Sequence, residues 1–536
     1  MDKNGSSGGS AHQVEKTASP GPEDDAAADL ANAAETGLGV REALRLYWKA
    51  VAWSVCVSNA TIMESYMIML SNAFYAQPQF QRAFGEPLPG GGGGYSITAQ
   101  WQVGVSMAGL VGLIAGTLSN GYFAERWGLR KVMVVSHLSL VAFVFILFFA
   151  HNIEMVTVGS LLLSVPCGFF AAATPTYAAE VTPLRLRGYL TVYVNLCWVI
   201  GKLLAFSVLA GTLSIPSEWA YRLPFALQWV WPLPLAVATW LAPESPWWLV
   251  RQGRHDEALR SLERLVVAGA GERADPRNTL AMIRRTVDAE RATLLQGSGS
   301  GGSYLDCFRG TNLRRTEIAM VSWGCQILPG FVVQNYITYF FTLAGLPTAS
   351  SFYLSIGNAG LAFVGTVSSW FVMTRWGWRT MYLGGLAAMI PVMGLVAFLD
   401  FAARPGPAGD AVRWAQCSLL LVWFFTYGIS IGPIPYGIAA NVGAASLRPK
   451  TIALGRNTYY IFSIVNTVVA PYMLNPAQLN LKGRAAFLPW ALTLVMLAWA
   501  YFRLPELKGL TQETVNHLFE TRVPARRFAE KGRECQ

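Results

Sequence analysis

Charge is scarce in this sequence. Only 13% of its 536 residues are Asp, Glu, Lys or Arg, about half the ~25% of an ordinary soluble domain. So few charges cannot cover a water-facing surface of this size, so most of the exterior meets something less polar. Histidine is scarce as well, at five. The seven cysteines (Cys56, Cys167, Cys197, Cys307, Cys325, Cys417 and Cys535) are odd in number, and no pair has metal-site spacing. Five lie in apolar runs and read as small buried hydrophobes, not as a disulfide framework. The chain has no phosphate-cradling Gly-rich loop, no nucleophile elbow and no metal cluster. An enzyme is not expected, and neither is a cofactor or a metal. No cleavable leader is expected either: residues 1–46 are polar, rich in Ala, Gly, Ser and Asp, and read as a disordered cytoplasmic tail.

Apolar residues are abundant, at 53%, with 19 Trp, many near the ends of apolar runs where interfacial belts form. About twelve runs reach membrane-spanning length. Six fall near 48–74, 99–123, 130–150, 156–177, 188–213 and 223–242, and six near 317–342, 351–373, 380–400, 413–439, 452–473 and 486–503. The chain thus divides into a tail (1–46), a six-helix half (47–243), a charged linker (244–315), a second six-helix half (316–503) and a C-terminal tail (504–536). Within the linker, Asp256 to Val267 alternates Leu with Arg and Glu as an amphipathic helix does. Residues 297–303 (GSGSGGS) read as a flexible connection and the glycines 90–94 as slack.

The net charge of +10 does not mark a nucleic-acid binder, because the basic residues punctuate loops and do not cluster on a face. With both termini inside, the short inner loops hold about nine Lys/Arg and the outer ones about six, and the linker adds more inside.

One motif occurs twice. Arg126-Trp127-Gly128-x-Arg130 returns as Arg375-Trp376-Gly377-x-Arg379, each between two apolar runs. The duplication predicts two equivalent helical halves, the plan of a rocking carrier. Pro175-x-Tyr177-x-x-Glu180, followed by Pro183 and Arg187-Gly188, ends the fourth run. Pro243-Glu244-Ser245-Pro246 follows the sixth, and Pro505-Glu506 the twelfth. Together these resemble the sugar porters of the major facilitator superfamily. Asn195-Leu-Cys197-Trp198, Gln228-Trp229-Val-Trp231-Pro232, Leu447-Arg448-Pro449-Lys450-Thr451 and Pro471-Tyr472-Met473-Leu474-Asn475-Pro476 narrow the likeness to fungal α-glucoside permeases. The resemblance runs from about residue 60 to 528. It implies an all-α, twelve-helix membrane protein in two pseudo-symmetric halves, at the plasma membrane, carrying a sugar-like solute by alternating access.

Candidate residues follow. Glu125, Arg126, Arg130, Glu180, Arg187 and Glu244 in one half, and Arg375, Arg379, Arg448 and Glu506 in the other, read as a cytoplasmic gate of charges at helix ends. The resemblance would put acids at Thr374 and Asn441, which leaves Glu506 as the main acid of the second half and weakens closure toward an inward-open balance. Ionisable groups inside spans are costly and read as functional by default. Glu64, Lys202 and Arg456 are such groups, with Lys202 expected to pair with Glu64 or to meet an anionic solute. His137 reads as structural. The resemblance places an Asp at Met67, as proton acceptor, and a Glu at Leu113. Neither Met nor Leu exchanges a proton, so coupling is absent or runs through Glu64. Hydroxyl-binding amides and tyrosines at suitable positions are Asn195, Gln326, Gln334, Asn335, Tyr336, Tyr436 and Tyr460. The alternatives are a carrier, exporters included, of another polyhydroxylated or glycosidic fungal metabolite, or a non-transporting sugar sensor.

Overall fold

A computed structural model describes residues 22–75, 77–87, 95–269, 271–296, 303–331, 348–402, 407–474, 479 and 481–534. It is built almost wholly of helices. Among the described residues the only strands are the two-residue pieces Glu86–Pro87 and Tyr95–Ser96, which pair antiparallel in one loop.

Among the described residues, eight helices are long and apolar enough to cross a membrane. The four other spans expected from the sequence fall short for visible reasons. The first is broken at Asn59 into Trp48–Ser58 and Ala60–Phe74. The sixth is interrupted between Trp219–Ala226 and Pro232–Leu241. The seventh begins as Gly310–Gly324 and ends its described part in a short turn at Leu328–Gly330. The eleventh, Arg448–Leu474, is continuous but opens on Arg448, Lys450 and Arg456. Interruptions of this kind are tolerated at membrane depth only where neighbouring protein or a cavity satisfies the freed backbone.

Small residues let the helices approach. Gly112 and Gly116 of Ala99–Trp127 form a Gly-x-x-x-Gly pair against Ile153–Val181. A Cβ on Gly116 would collide with the Val165 carbonyl, and one on Gly168 with that of Leu113. The second half repeats the crossing: a Cβ on Gly365 would meet the Phe425 carbonyl at 2.9 Å, and one on Gly428 that of Ala362 at 3.0 Å. Lipid offers no hydrophobic gain to helix pairing, so close van der Waals contact holds such seams. The halves meet along two seams, Leu184–Thr212 against Thr348–Arg375 and Ala99–Trp127 against Arg448–Leu474.

The duplicated Arg-Trp-Gly turn also has one structural meaning in both copies. Glu244 accepts the backbone N–H of Arg130 at 3.2 Å, in the first turn of Leu129–Phe148. Glu506 accepts those of Trp378 at 3.0 Å and Arg379 at 3.1 Å, in the first turn of Trp378–Leu399. Each carboxylate, arriving from beyond the last helix of its half, satisfies orphan donors and faces the positive end of a helix dipole. A side chain on Gly128 or Gly377 would occupy the carboxylate's place. Burial pushes the Glu244 carboxyl above its ordinary range, and the N–H groups of Ser245 and Arg130 oppose that rise.

The N-terminal tail departs from expectation. Residues 22–46 are not disordered: they form the helices Pro22–Gly37 and Val40–Leu46. Ala28 and Ala31 are buried with Trp247, Trp248, Leu262, Ile283 and Val287 of the linker helices. Alanine has the highest helix propensity, and Glu23, Asp24 and Asp25 sit in the first turn where the dipole favours acids. Arg285 of Pro276–Gln296 then holds Asp29 at 2.8 Å and Glu513 at 2.9 Å, so Pro22–Gly37 and Gln512–Glu520 lie on one face, the terminal face. The amphipathic linker helix is present as His255–Leu265, with Ala258, Ser261, Leu262 and Leu265 buried. The glycines 90–94 and residues 297–302 lie outside the described residues.

Gly377→Ala should displace Glu506 and release two helix N–H groups, lowering stability by roughly 1–3 kcal/mol. Thermal unfolding of the detergent-purified protein checks this, and adding Glu506→Ala to Gly377→Ala should then cost little more.

Candidate functional site

A cleft of about 510 Å³ lies between the halves. Leu184–Thr212 presents Asn195, Trp198 and Lys202 to it, at i, i+3 and i+7 on one helical face. Gln326, Thr366, Phe424, Tyr427, Tyr436 and Arg456 come from the second half. Asn195 Nδ2 donates to Thr366 Oγ1 at 3.4 Å across the seam. Gln326 Nε2 donates to the Gly432 carbonyl at 2.5 Å. That carbonyl is free because the chain breaks between Pro407–Ile429 and Ile434–Val442. The cleft thus offers amides, hydroxyls and aromatic faces at the middle of the bundle, the surface a polyhydroxylated ring requires.

Glu64 does not pair with Lys202. Its Oε1 accepts from Arg456 Nη2 at 2.5 Å and from the Tyr460 hydroxyl at 2.8 Å. Glu64 is fully buried and Arg456 is 2% exposed. The guanidinium also lies over the Tyr459 ring, 4.5 Å from its centroid. The reason is the orientation of the fifth span. Gly201 is the residue that faces the first span, where a Cβ would strike the Ile62 carbonyl. Lys202, the next residue, is turned about 100° around the helix and lines the cleft instead. Its Nζ lies over the Phe424 ring at 5.2 Å. An isolated Lys at bilayer depth costs roughly 2.5–3.5 kcal/mol on insertion scales, and a cation–π contact offsets part of this.

A second cavity, of about 600 Å³, is lined by Met67, Asn72, Ser106, Leu113, Tyr460 and Ser463 among others. Tyr459 lines both cavities, so Glu64, Arg456 and the two tyrosines stand at the partition. Met67 Sδ accepts from Ser164 Oγ at 3.6 Å, and Leu113 is fully buried. Tyr460 is therefore a partner of Glu64 and faces the second cavity, while Tyr436 faces the cleft and packs edge-on to Trp323 at 5.4 Å. His137 is buried against Phe170, with ring centroids 4.5 Å apart. Gln334, Asn335 and Tyr336 lie outside the described residues.

The terminal face is closed by bonds between the halves. Glu125 pairs with Lys450. Glu180 meets Arg448 at 3.7 Å, both with fully buried side chains, and Arg251 at 3.2 Å, while Ser245 Oγ donates to its other oxygen. Arg187 Nη1 donates to Asn441 Oδ1 at 3.3 Å, so an amide serves where an acid was expected. Glu290 of the linker accepts the backbone N–H of Ala445 at 2.8 Å and of Ser446 at 2.9 Å.

Several expected gate residues do other work. Arg448 meets Glu180 and donates to Gln512 at 3.0 Å; it does not turn to Glu506. Glu244 and Glu506 cap helices within their own halves, as described above. Arg126 donates to its neighbour Tyr122 at 3.0 Å, and Arg130 and Arg379 donate to the Ala242 and Tyr501 carbonyls. Arg375 is exposed, and among the described residues no ion pair engages it. The Thr374 hydroxyl donates to the Phe371 carbonyl of its own helix at 2.7 Å, and the Thr374 carbonyl accepts from Lys508 Nζ at 3.4 Å. Lys450, Arg251 and Glu290 were missed. Lys450 stood in the quoted Leu447–Thr451 motif, whereas Arg251 and Glu290 carry no local signal. The structure is thus a conformation closed on the terminal face, which the expected depletion of acids does not prevent.

Two pseudo-symmetric helical halves around a central polar cleft, bonded shut on one side, define a membrane carrier. The family model described as "Sugar (and other) transporter" matches residues 53–519. The general alpha-glucoside permease of Saccharomyces cerevisiae is 38% identical over 506 residues, covering 94% of this chain and 80% of that one. The maltose permease MAL61 of the same yeast is 38% identical over 503 residues, covering 93% and 80%. Among solved structures, the proton:xylose symporter XylE bound to 6-bromo-6-deoxy-D-glucose superposes with a TM-score of 0.71 at 16% identity, covering 88% of this chain and 100% of that one. The inward-open xylose transporter XylE from E. coli gives 0.61 at 16% identity, covering 88% and 99%. The chain belongs to the sugar transporter family of the major facilitator superfamily: it is a multi-pass integral membrane protein with twelve helices, a transporter of sugar and not an enzyme.

Arg456→Met should strand the Glu64 carboxylate and destabilise the protein by about 3–5 kcal/mol. Combining it with Glu64→Gln should recover most of that loss, as read by thermal unfolding in a double-mutant cycle.

Proposed function

We propose that the protein carries an α-glucoside, or a similarly polyhydroxylated solute, through the plasma membrane by alternating access, with both termini cytoplasmic and no obligatory proton exchange. The observation that carries this reading is the double tie on Glu64 beside the central cleft. Its Oε1 is held by Arg456 and Tyr460, both from the other half. Among the described residues, no other carboxylate adjoins the cleft through a lining side chain. Held in this way, the carboxylate ties the first half to the second, and breaking the tie would leave the guanidinium unpaired in a low dielectric. Met67 and Leu113 supply no replacement. Asn195, Gln326 and Tyr436 are the groups proposed to read hydroxyls, with Gln334, Asn335 and Tyr336 completing the set. The relatives named as α-glucoside and maltose permeases support the solute class. Ion pairs that close the terminal face would separate as the cleft opens to the cytoplasm.

Uptake of labelled maltose and other α-glucosides, in cells lacking their own permeases, tests this. Flux should saturate and should be unchanged by an uncoupler or by external pH. Collapse of uptake with the proton gradient would overturn the uncoupled mechanism, and no flux at all with any sugar would favour a sensor. Replacing Glu125 and Lys450 with cysteines should let an oxidant lock the terminal face and stop transport reversibly. Full flux from the crosslinked protein would sink the assignment of this pair as a gate.

A further inference from the structure

We infer that the solute carried by this site is an anionic glycoside, with its carboxylate or equivalent acid seated against Lys202. The inference rests on the carrier reading above and names the charge of its substrate.

Lys202 is 7% exposed, and what exposure it keeps is on the wall of the cleft. Its nearest specific contact is the Phe424 ring, at 5.2 Å. No hydrogen bond or ion pair engages its ammonium among the described residues. The other cation on the cleft wall, Arg456, is already compensated by Glu64 at 2.5 Å. No carboxylate lines the cleft among the described residues. Among the described lining residues, Lys202 is therefore the one basic side chain without a carboxylate partner.

A neutral sugar can offer that ammonium hydroxyl acceptors but no opposite charge. When the cleft closes over such a solute, Lys202 loses water and gains only dipoles. An anion supplies the missing partner at the moment water leaves, where a charge-assisted hydrogen bond counts most. Position fits size as well. Seven residues of helix separate Asn195 from Lys202, a rise of roughly 10 Å. The amides at one end and the ammonium at the other thus leave room for a sugar ring between them. The solute that matches is a glycoside with hydroxyls at one end and an acid at the other.

Maltobionate and maltitol separate these demands. Both keep the glucosyl ring of maltose on an open-chain partner, but only maltobionate carries a carboxylate. Binding to the purified full-length protein is measured by intrinsic tryptophan fluorescence and thermal shift, alongside labelled maltose flux in proteoliposomes. Maltobionate should bind about ten-fold or more tightly than maltitol. Lys202→Gln should erase that preference, and Lys202→Arg should keep it. Equal affinities in the unaltered protein overturn the inference, whatever the variants do. So does a preference that survives Lys202→Gln. Maltose flux without an anion preference would leave the carrier reading standing and this inference dead. Failure of all three sugars to bind or move would sink both.

Discussion

Glu64 and Arg456 come from opposite halves of the chain, 392 residues apart, and meet where neither reaches water. Each is the other's ion-pair partner. Removing a carboxylate and a guanidinium from water is expensive, and their attraction repays it only when geometry and further hydrogen bonds are good. Tyr460 supplies one such bond and the Tyr459 ring a face for the cation. The pair thereby fixes how the first span meets the eleventh, and the two cavities form on either side of that junction. The remaining chemistry of the centre, among the described residues, is set by what the pair leaves over: the amides and tyrosines of the cleft, the Lys202 ammonium, and apolar Met67 and Leu113.

The same electrostatic demand recurs at the terminal face in a milder form. There, backbone N–H groups at helix starts take the place of a guanidinium. Glu244 and Glu506 play matching parts in the two halves, and the glycine of each Arg-Trp-Gly turn clears the approach. A motif that reads from sequence as a gate of charges is first a device for ending one helix and starting the next. The bonds that do cross between halves, from Glu125, Glu180 and Arg187, are set on that scaffold.

Much of this was legible in the chain. The missing charge, the twelve apolar runs and the doubled turn give the fold, because membrane burial writes itself into composition and length. The N-terminal helix was not legible, since an Ala-rich acidic stretch reads equally as an unfolded tail or as a helix that needs a neighbour. Its neighbour, Pro276–Gln296, lies some 250 residues on. The partner of Glu64 was misread for a related reason. Proximity in the chain favoured Lys202, but the close packing of Gly201 on the first span turns Lys202 toward the cleft. Helical spacing tells which residues share a face, not which neighbour that face meets.

Arg285 clasps Asp29 and Glu513 at once, and Asn32 reaches the same Glu513 at 3.0 Å. The helices Pro22–Gly37 and Gln512–Glu520 and the linker between the halves are therefore fastened at a single exposed point. Pairs of this sort contribute little each, and dissolved ions weaken them within a Debye length of about 8 Å at physiological salt. The buried pair at the centre has no such sensitivity. Ionic strength thus acts on the clasp far more than on the cleft, so the clasp can be loosened without touching the pair at the centre.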